Sequence, residues 1–454
     1  MENAPIIDTT QHNTTQHNTT NDCALKVAVI GNAEGVAHVV SSLGKSTGYV
    51  CVLAVAENYP IGKNFFRYFS HINLKEKLKL AAASTRSFYS VRKHGKGIFR
   101  KVPKVYFTSS SDIKLRSFEM LPTKIFEDID LILVACEDND SRTEYKSSDY
   151  VSELLRRGIT REKIFIVPPV VYHAELPVIE DGKLSPLCKN MNEVKPLLRY
   201  MEYHVTDFCN LKCKGCGHLA NHVKELEFAD IGGFRLALAG LAEKFSNIAE
   251  IRIMGGEPLL CKNLHEYINA VHEIFPYCNV KIVTNGLLWR NITPEMIEAV
   301  KNAGAEIQVT QYIPTRKVAG EIIAFCQENG VKISVGTLIK EFRELIFAKD
   351  KPTPDFNECW SVCASWYCHL LIGTILHPCT YVWVSHDPRF KEFQKKESVT
   401  EGEYGEYSYD FAQDISDDGW DILAKLENPM EICRKCGNKR VSFKWESEIP
   451  EYNN

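Results

Sequence analysis

The sequence of 454 residues lacks any run of about 18 consecutive apolar residues, so it predicts no membrane-spanning helix. Its first residues lack both a basic start and an apolar stretch, which argues against a secretory signal peptide. An excess of one charge is also missing: the net charge is −4, so neither nucleic acid nor an anionic membrane is an expected partner. We therefore expect a cytoplasmic protein.

The chain is too long for one ordinary core, because domains average roughly 100–200 residues. A repeated QHNTT makes residues 1–23 a low-complexity tail that we expect to be disordered. Beyond it, strand-like apolar runs alternate with helix-like spacing, which predicts an α/β fold. The expected divisions are a first α/β domain at 24–175, a linker at 176–197, a second α/β series at 198–355 and a small cysteine-rich C-terminal extension at 356–454.

The first domain is expected to be an open parallel sheet. Strands are predicted in LKVAVI, YVCVLAVA, VPKVYF, DIDLILVAC and EKIFIVPP, with a helix through YVSELLRRG and a basic insertion at 62–104. Gly31 and Gly35 follow the first strand, but the full G-x-G-x-x-G of a dinucleotide site is missing, so NAD is not expected. The order of elements loosely resembles Rossmann-like domains of nucleotide-sugar proteins. The alternative is a scaffold or docking domain without a ligand.

The second series repeats strand and helix with a parallel-sheet pattern. Strands are predicted at 198–205, 250–254, 279–284, 305–310 and 331–336, and helices at about 230–246, 263–274, 294–303 and 316–329. Five strands with helical crossovers predict part of a (β/α)6 barrel. The pattern identifies no sixth strand.

Nine of the sixteen cysteines fall into two groups, and the first is CNLKCKGC. Cys209, Cys213 and Cys216 follow the first strand of the second series at C-x3-C-x2-C spacing. Thiolates are soft ligands that select iron–sulfur clusters, zinc or copper(I). A 4Fe–4S cube normally takes four thiolates, so three on one loop would leave one iron open for another ligand. The loop is expected at the carboxyl ends of the strands, where barrels place their active sites.

Polar or glycine-rich segments follow the next three strands. MGGEP ends at Pro258, TNG ends at Gly286 and TQY ends at Tyr312. Since the carboxyl ends of parallel strands meet at one edge, these segments are expected to converge with the cysteine loop.

C-x3-C-x2-C after one strand with GGEP after the next resembles the radical SAM superfamily, over about residues 195–340. The resemblance implies a 4Fe–4S cluster on the three cysteines and S-adenosylmethionine (SAM) bound to the fourth iron through its amino and carboxylate groups. It further implies that one electron splits the sulfonium bond, giving methionine and a 5′-deoxyadenosyl radical that abstracts hydrogen from a substrate. A flavodoxin or ferredoxin is the implied electron donor.

The resemblance also implies which residues contact SAM, whereas no residue acting on the substrate can be named. They are Gly255, Gly256 and Glu257 for the methionine amino group, Asn285, Thr310 and Gln311 for its carboxylate or the ribose, and Val335 and Gly336 for the adenine. One position departs from the family pattern. Many members carry an aromatic residue before the third cysteine, where Gly215 stands here, so Phe208 or His218 would have to contact the adenine. A zinc loop or a set of buried thiols remains the alternative for the three cysteines.

The second cysteine group follows residue 355. CHLLIGTILHPC predicts a short hairpin with a cysteine at each end, and CRKC predicts a knuckle. The arrangement resembles the SPASM/twitch type of extension, which holds auxiliary 4Fe–4S clusters. The expected ligands of a second cluster are Cys368, Cys379, Cys433 and Cys436, with Cys359 and Cys363 in reserve. A four-cysteine zinc site is the alternative, since tetrahedral sulfur suits either metal.

The leading functional hypothesis is a radical SAM enzyme acting on a sugar, a nucleotide-sugar or a polysaccharide precursor. The layout resembles radical SAM proteins of bacterial polysaccharide loci. One alternative is a SPASM-type enzyme that modifies peptides or proteins, although the sequence shows no winged-helix domain for binding a leader peptide. The other is a non-catalytic iron–sulfur or zinc protein for structure or redox sensing.

Overall fold

The structure is a computed structural model, and it describes most of the second α/β series but only parts of the chain before it. The described ranges are 25–32, 49–57, 104–107, 129–135, 147–168, 176–180, 183–343, 367–396, 405–435 and 442–449, with a few single residues between them. The predicted tail and most of the basic insertion lie outside these ranges. Two compact units form: residues 1–135 with 167–188, and residues 136–166 with 189–454. The predicted domain borders stay predictions.

The smaller unit contains a parallel sheet whose strands were predicted from their apolar runs. Its four parallel strands are β1 (Leu25–Asn32), β2 (Tyr49–Glu57), β3 (Lys104–Phe107) and β4 (Leu131–Ala135). β1 lies between β2 and β4, and β3 pairs with the far side of β2. β4 is buried along its whole length, as expected for a strand covered on both faces. These four strand predictions are confirmed.

The remaining early elements are short. They are helix α1 (Ser147–Arg156), strand β5 (Ile164–Val167), the antiparallel pair β6 (Ile179–Glu180) and β7 (Lys183–Leu184), and strand β8 (Lys189–Asn190). β5 and β8 pair antiparallel. The predicted strand in EKIFIVPP and the predicted helix in YVSELLRRG are confirmed as β5 and α1.

The larger unit is built on an eight-stranded sheet. Its strands are β9 (Leu197–Thr206), β10 (Asn247–Gly255), β11 (Asn279–Thr284), β12 (Glu306–Val309), β13 (Lys332–Val335), β15 (His369–Ile372), β16 (Ile375–His377) and β17 (Tyr409–Asp410). The order in the sheet is β13-β12-β11-β10-β9-β15-β16-β17. The first six strands in this order run parallel, and the last two are antiparallel. The five predicted strands are confirmed.

β15 is the sixth parallel strand that the sequence pattern did not identify. It is the first arm of the predicted hairpin, which is confirmed as β15 and β16. The other side of β15 pairs parallel with β9, matching His369 to Met201 and Leu371 to Tyr203. The hairpin thus extends the sheet, and within the described residues the sheet is open.

Four helices cover one face of this sheet. They are α2 (Ile231–Lys244), α3 (Leu264–Ile274), α4 (Pro294–Asn302) and α5 (Ala319–Glu328). Asp230 begins α2 by accepting a hydrogen bond from the Gly233 amide, and Thr293 begins α4 in the same way before a proline at its first turn. These helices bury the apolar side of the strands, where each fully buried large side chain contributes about 1.5–3 kcal/mol.

Alternation along the strands gives the sheet two different faces. The row Tyr203, Ile253, Ile282, Ile307 packs against the helices in the core. The neighbouring row on the opposite face is charged. Its members are Glu202, Arg252, Lys281 and Glu306, paired strand to strand. The face turned away from the helices is therefore polar.

The C-terminal part adds short elements around this sheet. They are β14 (Glu341–Arg343), α6 (Thr380–His386), α7 (Lys391–Lys396), α8 (Gly419–Leu426) and β18 (Ser442–Lys444). β18 pairs antiparallel with β14. Among the helices of the described residues, none combines the length and apolar character needed to cross a membrane.

Candidate functional site

The three predicted cluster cysteines lie on one loop directly after β9. Cys209 and Cys213 are buried, and Cys216 is half-buried. The loop is fixed by local hydrogen bonds, including Leu219 N to Cys216 O at 3.0 Å. Lys212, with φ of 45°, lies in the left-handed region that non-glycine residues rarely adopt. Such a conformation persists only where its surroundings over-determine it, so the loop is preformed by the chain.

Burial governs the ionisation of these thiols. Burial raises the pKa of the Cys209 thiol to about 12, and it also raises the pKa values of Cys213 and Cys216. Metal ligation requires the thiolate, so binding of a metal here would release protons. A bound metal would supply the positive charge that compensates these buried thiolates.

Two side-chain N–H groups point at the sulfurs. Trp445 Nε1 donates to Cys213 Sγ at 3.3 Å, and Asn285 Nδ2 donates to Cys209 Sγ at 3.7 Å. The Leu211 amide also donates to Cys209 Sγ, at 3.4 Å. N–H donors around cysteine sulfur are the usual surroundings of metal-bound thiolates. The donor set therefore fits an iron–sulfur cluster.

Within the described ranges, no three His, Cys, Asp or Glu side chains converge as the ligands of a single metal ion do. A 4Fe–4S cluster does not need such convergence on one ion, because each cysteine thiolate binds a different iron.

Gly255 and Gly256 let the end of β10 approach the cysteine loop. A Cβ on Gly255 would lie 2.1 Å from the Thr206 carbonyl oxygen, and one on Gly256 would lie 2.0 Å from the Phe208 carbonyl oxygen. The Gly256 amide donates to Thr206 O at 2.7 Å, and the Glu257 amide donates to Phe208 O at 2.9 Å. These glycines thus hold the start of the cysteine loop against β10.

Glu257 is fully buried, and the chain's own donors bind both of its carboxylate oxygens. Oε1 accepts from Thr284 Oγ1 at 2.6 Å and from the Leu259 amide at 3.0 Å, and Oε2 accepts from the Asn285 amide at 2.9 Å. Burial raises the pKa of Glu257 to about 7, although these hydrogen bonds oppose the rise. The carboxylate therefore joins the end of β10 to the end of β11.

Asn285 connects this carboxylate to the cysteine loop. Its backbone amide donates to Glu257, while its side-chain Nδ2 donates to Asn210 Oδ1 at 2.8 Å as well as to the Cys209 sulfur. Its carbonyl oxygen accepts from Thr315 Oγ1 at 2.7 Å. The structure thus brings together three of the predicted site residues: Cys209, Glu257 and Asn285.

The other predicted SAM contacts lie at the ends of the next strands. Thr310 and Gln311 follow β12 with half-exposed side chains, and exposed Gly336 follows β13. Their backbones join neighbouring strand ends through Thr310 N to Thr284 O, at 2.9 Å, and Gly336 N to Val309 O, at 2.9 Å. Among the described residues, no hydrogen bond or ion pair joins the side chains of Thr310 or Gln311 to the cysteine loop, so their placement at the rim rests on strand order.

A histidine pair, buried His204 and half-exposed His218, lies beside the cysteine loop, and the sequence reasoning missed His204. His204 Nδ1 bonds Asp207 Oδ1 at 2.7 Å, and His204 Nε2 lies 3.1 Å from His218 Nδ1. Arg389 pairs with Asp207 at 2.8 Å. Although burial opposes it, His204 and Arg389 hold the pKa of Asp207 below its ordinary value. The alternation of β9 could have placed His204 on the polar face. His218 was named only as a possible adenine contact, and no spacing indicates Arg389.

Trp445 was also missed, whereas Tyr312 ends the TQY segment that was expected to converge with the cysteine loop. Both lie near the cysteine sulfurs, with their rings stacked at 5.5 Å between centroids. Trp445 is 232 residues from the cysteine it contacts, and no sequence signal connects the two. Phe208 and His218, the predicted replacements for the missing aromatic residue, are half-exposed beside the loop. Gly215 has φ of 67°, and a Cβ there would lie 2.7 Å from the ring of Phe443.

The second cysteine group is partly assembled. Cys379 ends the hairpin, and burial raises its pKa to about 12, with further contributions from nearby Cys433 and Cys363. Burial raises the pKa values of Tyr200 and Tyr367, and Cys368 adds to the rise in both. The structure therefore brings Cys433, and also Cys363, a reserve ligand in the prediction, close to Cys379. Cys359 and Cys436 lie outside the described residues.

Comparison with known proteins identifies one region. Residues 203–322 match the family profile described as the Radical SAM superfamily. A GTP 3′,8-cyclase of Alkaliphilus oremlandii is 33% identical over 112 residues, which cover 24% of this chain and 32% of that protein. A GTP 3′,8-cyclase of Geobacter sulfurreducens is 35% identical over 113 residues, again 24% and 32%. The chain thus matches about a third of the length of these relatives.

Among solved structures, BtrN in complex with AdoMet and 2-DOIA is 18% identical, with a TM-score of 0.29, covering 52% of this chain and 99% of that chain. Streptococcus suis SuiB bound to S-adenosylmethionine is also 18% identical, with a TM-score of 0.26, covering 31% of this chain and 33% of that chain.

Proposed function

We propose that this chain, which carries a radical SAM domain at residues 203–322, is an enzyme that cleaves SAM reductively and abstracts hydrogen from a substrate. Cys209, Cys213 and Cys216 hold the 4Fe–4S cluster, and SAM binds at the edge formed by the carboxyl ends of β9 to β13. The observation that carries the proposal is the preformed loop of three buried or half-buried thiols with N–H donors directed at two of the sulfurs.

The chemistry that cluster and SAM supply when bound is one-electron cleavage of the sulfonium to methionine and a 5′-deoxyadenosyl radical. The chain contributes shelter and position. Leu211 and Trp445 are buried around the sulfurs and exclude water from the cluster site. A flavodoxin or ferredoxin is the proposed electron donor.

SAM binding is assigned to the rim. Thr310 and Gln311 have half-exposed side chains there and are proposed to hold the carboxylate or ribose, while Val335 and Gly336 flank the adenine. Gly255, Gly256 and Glu257 are proposed to meet the methionine amino group. Because the carboxylate already accepts three hydrogen bonds from the chain, Glu257 also fixes Asn285 and the strand ends around that group.

The polar face of the sheet supports a polar substrate. Arg252 bonds Glu250 at 2.8 Å and lies over the ring of Tyr200, whose hydroxyl donates to Glu202 at 2.5 Å. A hydroxyl-rich or charged molecule can exchange hydrogen bonds with such groups, whereas an apolar one offers them none and would displace their water. The named relatives act on GTP, a nucleotide. We therefore propose a sugar, a nucleotide-sugar or a polysaccharide precursor as substrate.

A second cluster is proposed in the C-terminal region. Cys379 and Cys433 are its best-supported ligands, and Cys368 and Cys436 complete the predicted set. Cys363, a reserve ligand in the sequence prediction, is the alternative because it acts on the pKa of Cys379. Zinc is the competing metal. The protein is proposed to act in the cytoplasm.

The test is anaerobic reconstitution followed by an assay for 5′-deoxyadenosine under reducing conditions. Wild type should form it, and the variant with Cys209, Cys213 and Cys216 all replaced by Ala should not. The matched control is Cys278→Ala, which removes a buried thiol outside the loop and should stay active. Equal 5′-deoxyadenosine formation in wild type and the triple variant contradicts the proposal.

A further inference from the structure

The segment at residues 442–449 lies against the cysteine loop as an additional strand. An isolated antiparallel bridge pairs Cys213 with Ser447. The contacts on either side are Lys214 N to Glu446 O at 2.9 Å, Glu448 N to Lys212 O at 2.9 Å and Ser447 Oγ to Leu211 O at 2.5 Å. These contacts hold the loop backbone on both sides of Cys213, so the segment limits how the loop can move.

The same segment is anchored on its other side. Its first residues form β18, which pairs with β14 just beyond β13. The Trp445 amide donates to Lys340 O at 2.9 Å, and the indole ring stacks on Tyr312. Trp445 is only 1% exposed, so its ring is held from both sides. The indole therefore has one orientation, and that orientation directs its N–H at Cys213.

An indole N–H is a donor without acceptor capacity, so it can only stabilise negative charge on the sulfur. Reduction of a 4Fe–4S cluster adds one electron, and part of the added charge falls on the cysteine sulfurs. A hydrogen bond to such a sulfur becomes stronger in the reduced form. Hydrogen bonds to the sulfurs are among the factors that set the reduction potential of a cluster.

We propose that residues 442–449 clamp the cysteine loop and that Trp445 raises the reduction potential of the cluster by donating its indole N–H to Cys213. The proposal rests on the proposed function, since it requires a cluster on this loop. Trp445 is a positioning residue that acts through the sulfur. The electron comes from a low-potential one-electron carrier, and no covalent bond of the protein changes.

The experiment is a redox titration followed by electron paramagnetic resonance, on the reconstituted full chain without SAM. Trp445→Phe keeps a ring against Tyr312 but removes the N–H. At the wild-type midpoint, the ratio of reduced to oxidised cluster should fall by on the order of tenfold. That factor equals about 59 mV for a one-electron couple. Iron and sulfide content should not change.

The matched control is Trp289→Phe. This change also removes one indole N–H, but the Trp289 N–H has no hydrogen-bond partner among the described residues and lies away from the cysteine loop. The potential of that variant should equal the wild-type potential. An equal potential in wild type and Trp445→Phe, both holding a full cluster, overturns the proposal while leaving the enzymatic proposal intact.

A second variant tests the proposal if Trp445→Phe fails to hold the cluster. Benzothienylalanine at position 445 keeps the two-ring shape and replaces N–H by sulfur. If it holds the cluster, the same drop in potential is expected, and an unchanged potential overturns the proposal. If neither variant holds a cluster, Trp445 is a structural residue and the tuning role is overturned. A wild type without any 4Fe–4S signal instead refutes the proposed function.

Discussion

The two cysteine groups differ in how the chain prepares them. Cys209, Cys213 and Cys216 lie within eight residues on a loop that glycines, buried polar groups and residues 442–449 fix from several directions. Cys379 and Cys433 come from segments 54 residues apart in sequence and meet in a small apolar cluster with Val382, Met430 and Ile432. The first site is therefore organised by the protein before any metal binds. The proposed second site would depend more on a bound metal to join its segments.

Among the substitutions that test this difference between the two cysteine groups, Gly256→Ala is expected to have the largest effect. In Gly256→Ala the new Cβ would lie 2.0 Å from the Phe208 carbonyl oxygen, so the cysteine loop must move. We expect destabilisation of at least about 3 kcal/mol and loss of the first cluster, since the clash is with backbone rather than a flexible side chain. Thermal unfolding and iron content measure both effects.

Gly320→Ala is the matched control for that change. Gly320 lies in α5, and a Cβ there would meet nothing within 4 Å. It should be neutral or stabilising by up to about 1 kcal/mol, because alanine favours helix over glycine. Similar destabilisation in both variants would show that Gly256 does not hold the loop.

Metal removal should separate the two regions next. The triple variant without Cys209, Cys213 and Cys216 should still hold about four iron atoms, if the second site is a 4Fe–4S cluster. Replacing Cys379 and Cys433 by Ala should instead loosen residues 367–435, because the metal there connects distant segments. Hydrogen exchange measures the loosening. Zinc without iron after anaerobic reconstitution would make the second site structural and remove any electron-transfer role from it.

A smaller effect is expected from Glu257→Gln. The substitution removes the carboxylate charge near the proposed amino group of SAM and turns one acceptor into a donor. The cluster should be retained, since no cysteine contact is lost, while SAM affinity should fall about tenfold, as for one charge-assisted hydrogen bond of about 1.5 kcal/mol. Anaerobic titration measures the affinity. The control is Glu321→Gln, which changes an exposed side chain on α5. Equal SAM affinity in Glu257→Gln and wild type argues against the role.

The smallest effect is expected at the surface of the clamp. Lys214 pairs with Glu446 at 3.5 Å, and both side chains are at least half exposed. Lys214→Gln should change stability by less than about 1 kcal/mol, because exposed ion pairs contribute little. Thermal unfolding with and without 0.5 M salt checks this. A larger loss would mean that charge, rather than backbone hydrogen bonding, holds residues 442–449 to the loop.

The sequence predicted those parts of the structure that depend on local pattern. Strands such as β10 and β11 alternate buried and half-buried residues, and the sequence shows the matching alternation of apolar and polar residues. The cysteine loop was predictable because its three sulfurs are close in sequence. β15 was recognised as part of a hairpin, yet its pairing with β9 joins residues 168 positions apart, and four residues carry no signal for such a partner.

The remaining features of the site depend on long-range contacts. Glycines in GGEP were expected to approach SAM, whereas in the structure they lie against the start of the cysteine loop. Trp445 could not be connected to Cys213, because only the pairing of β18 with β14 brings it there. The choice between Cys363 and Cys368 likewise depends on how the hairpin packs. Such contacts are decided by tertiary packing rather than by spacing.

The central claim is that three thiolates on this loop hold a four-iron cluster whose remaining iron binds SAM. Its most direct test is electron paramagnetic resonance of the reduced protein, before and after SAM is added, in the variant lacking Cys379 and Cys433. The account predicts a reduced 4Fe–4S signal that changes on addition of SAM, with hyperfine coupling to 15N in the methionine amino group. A signal that SAM leaves unchanged, without that coupling, would contradict it.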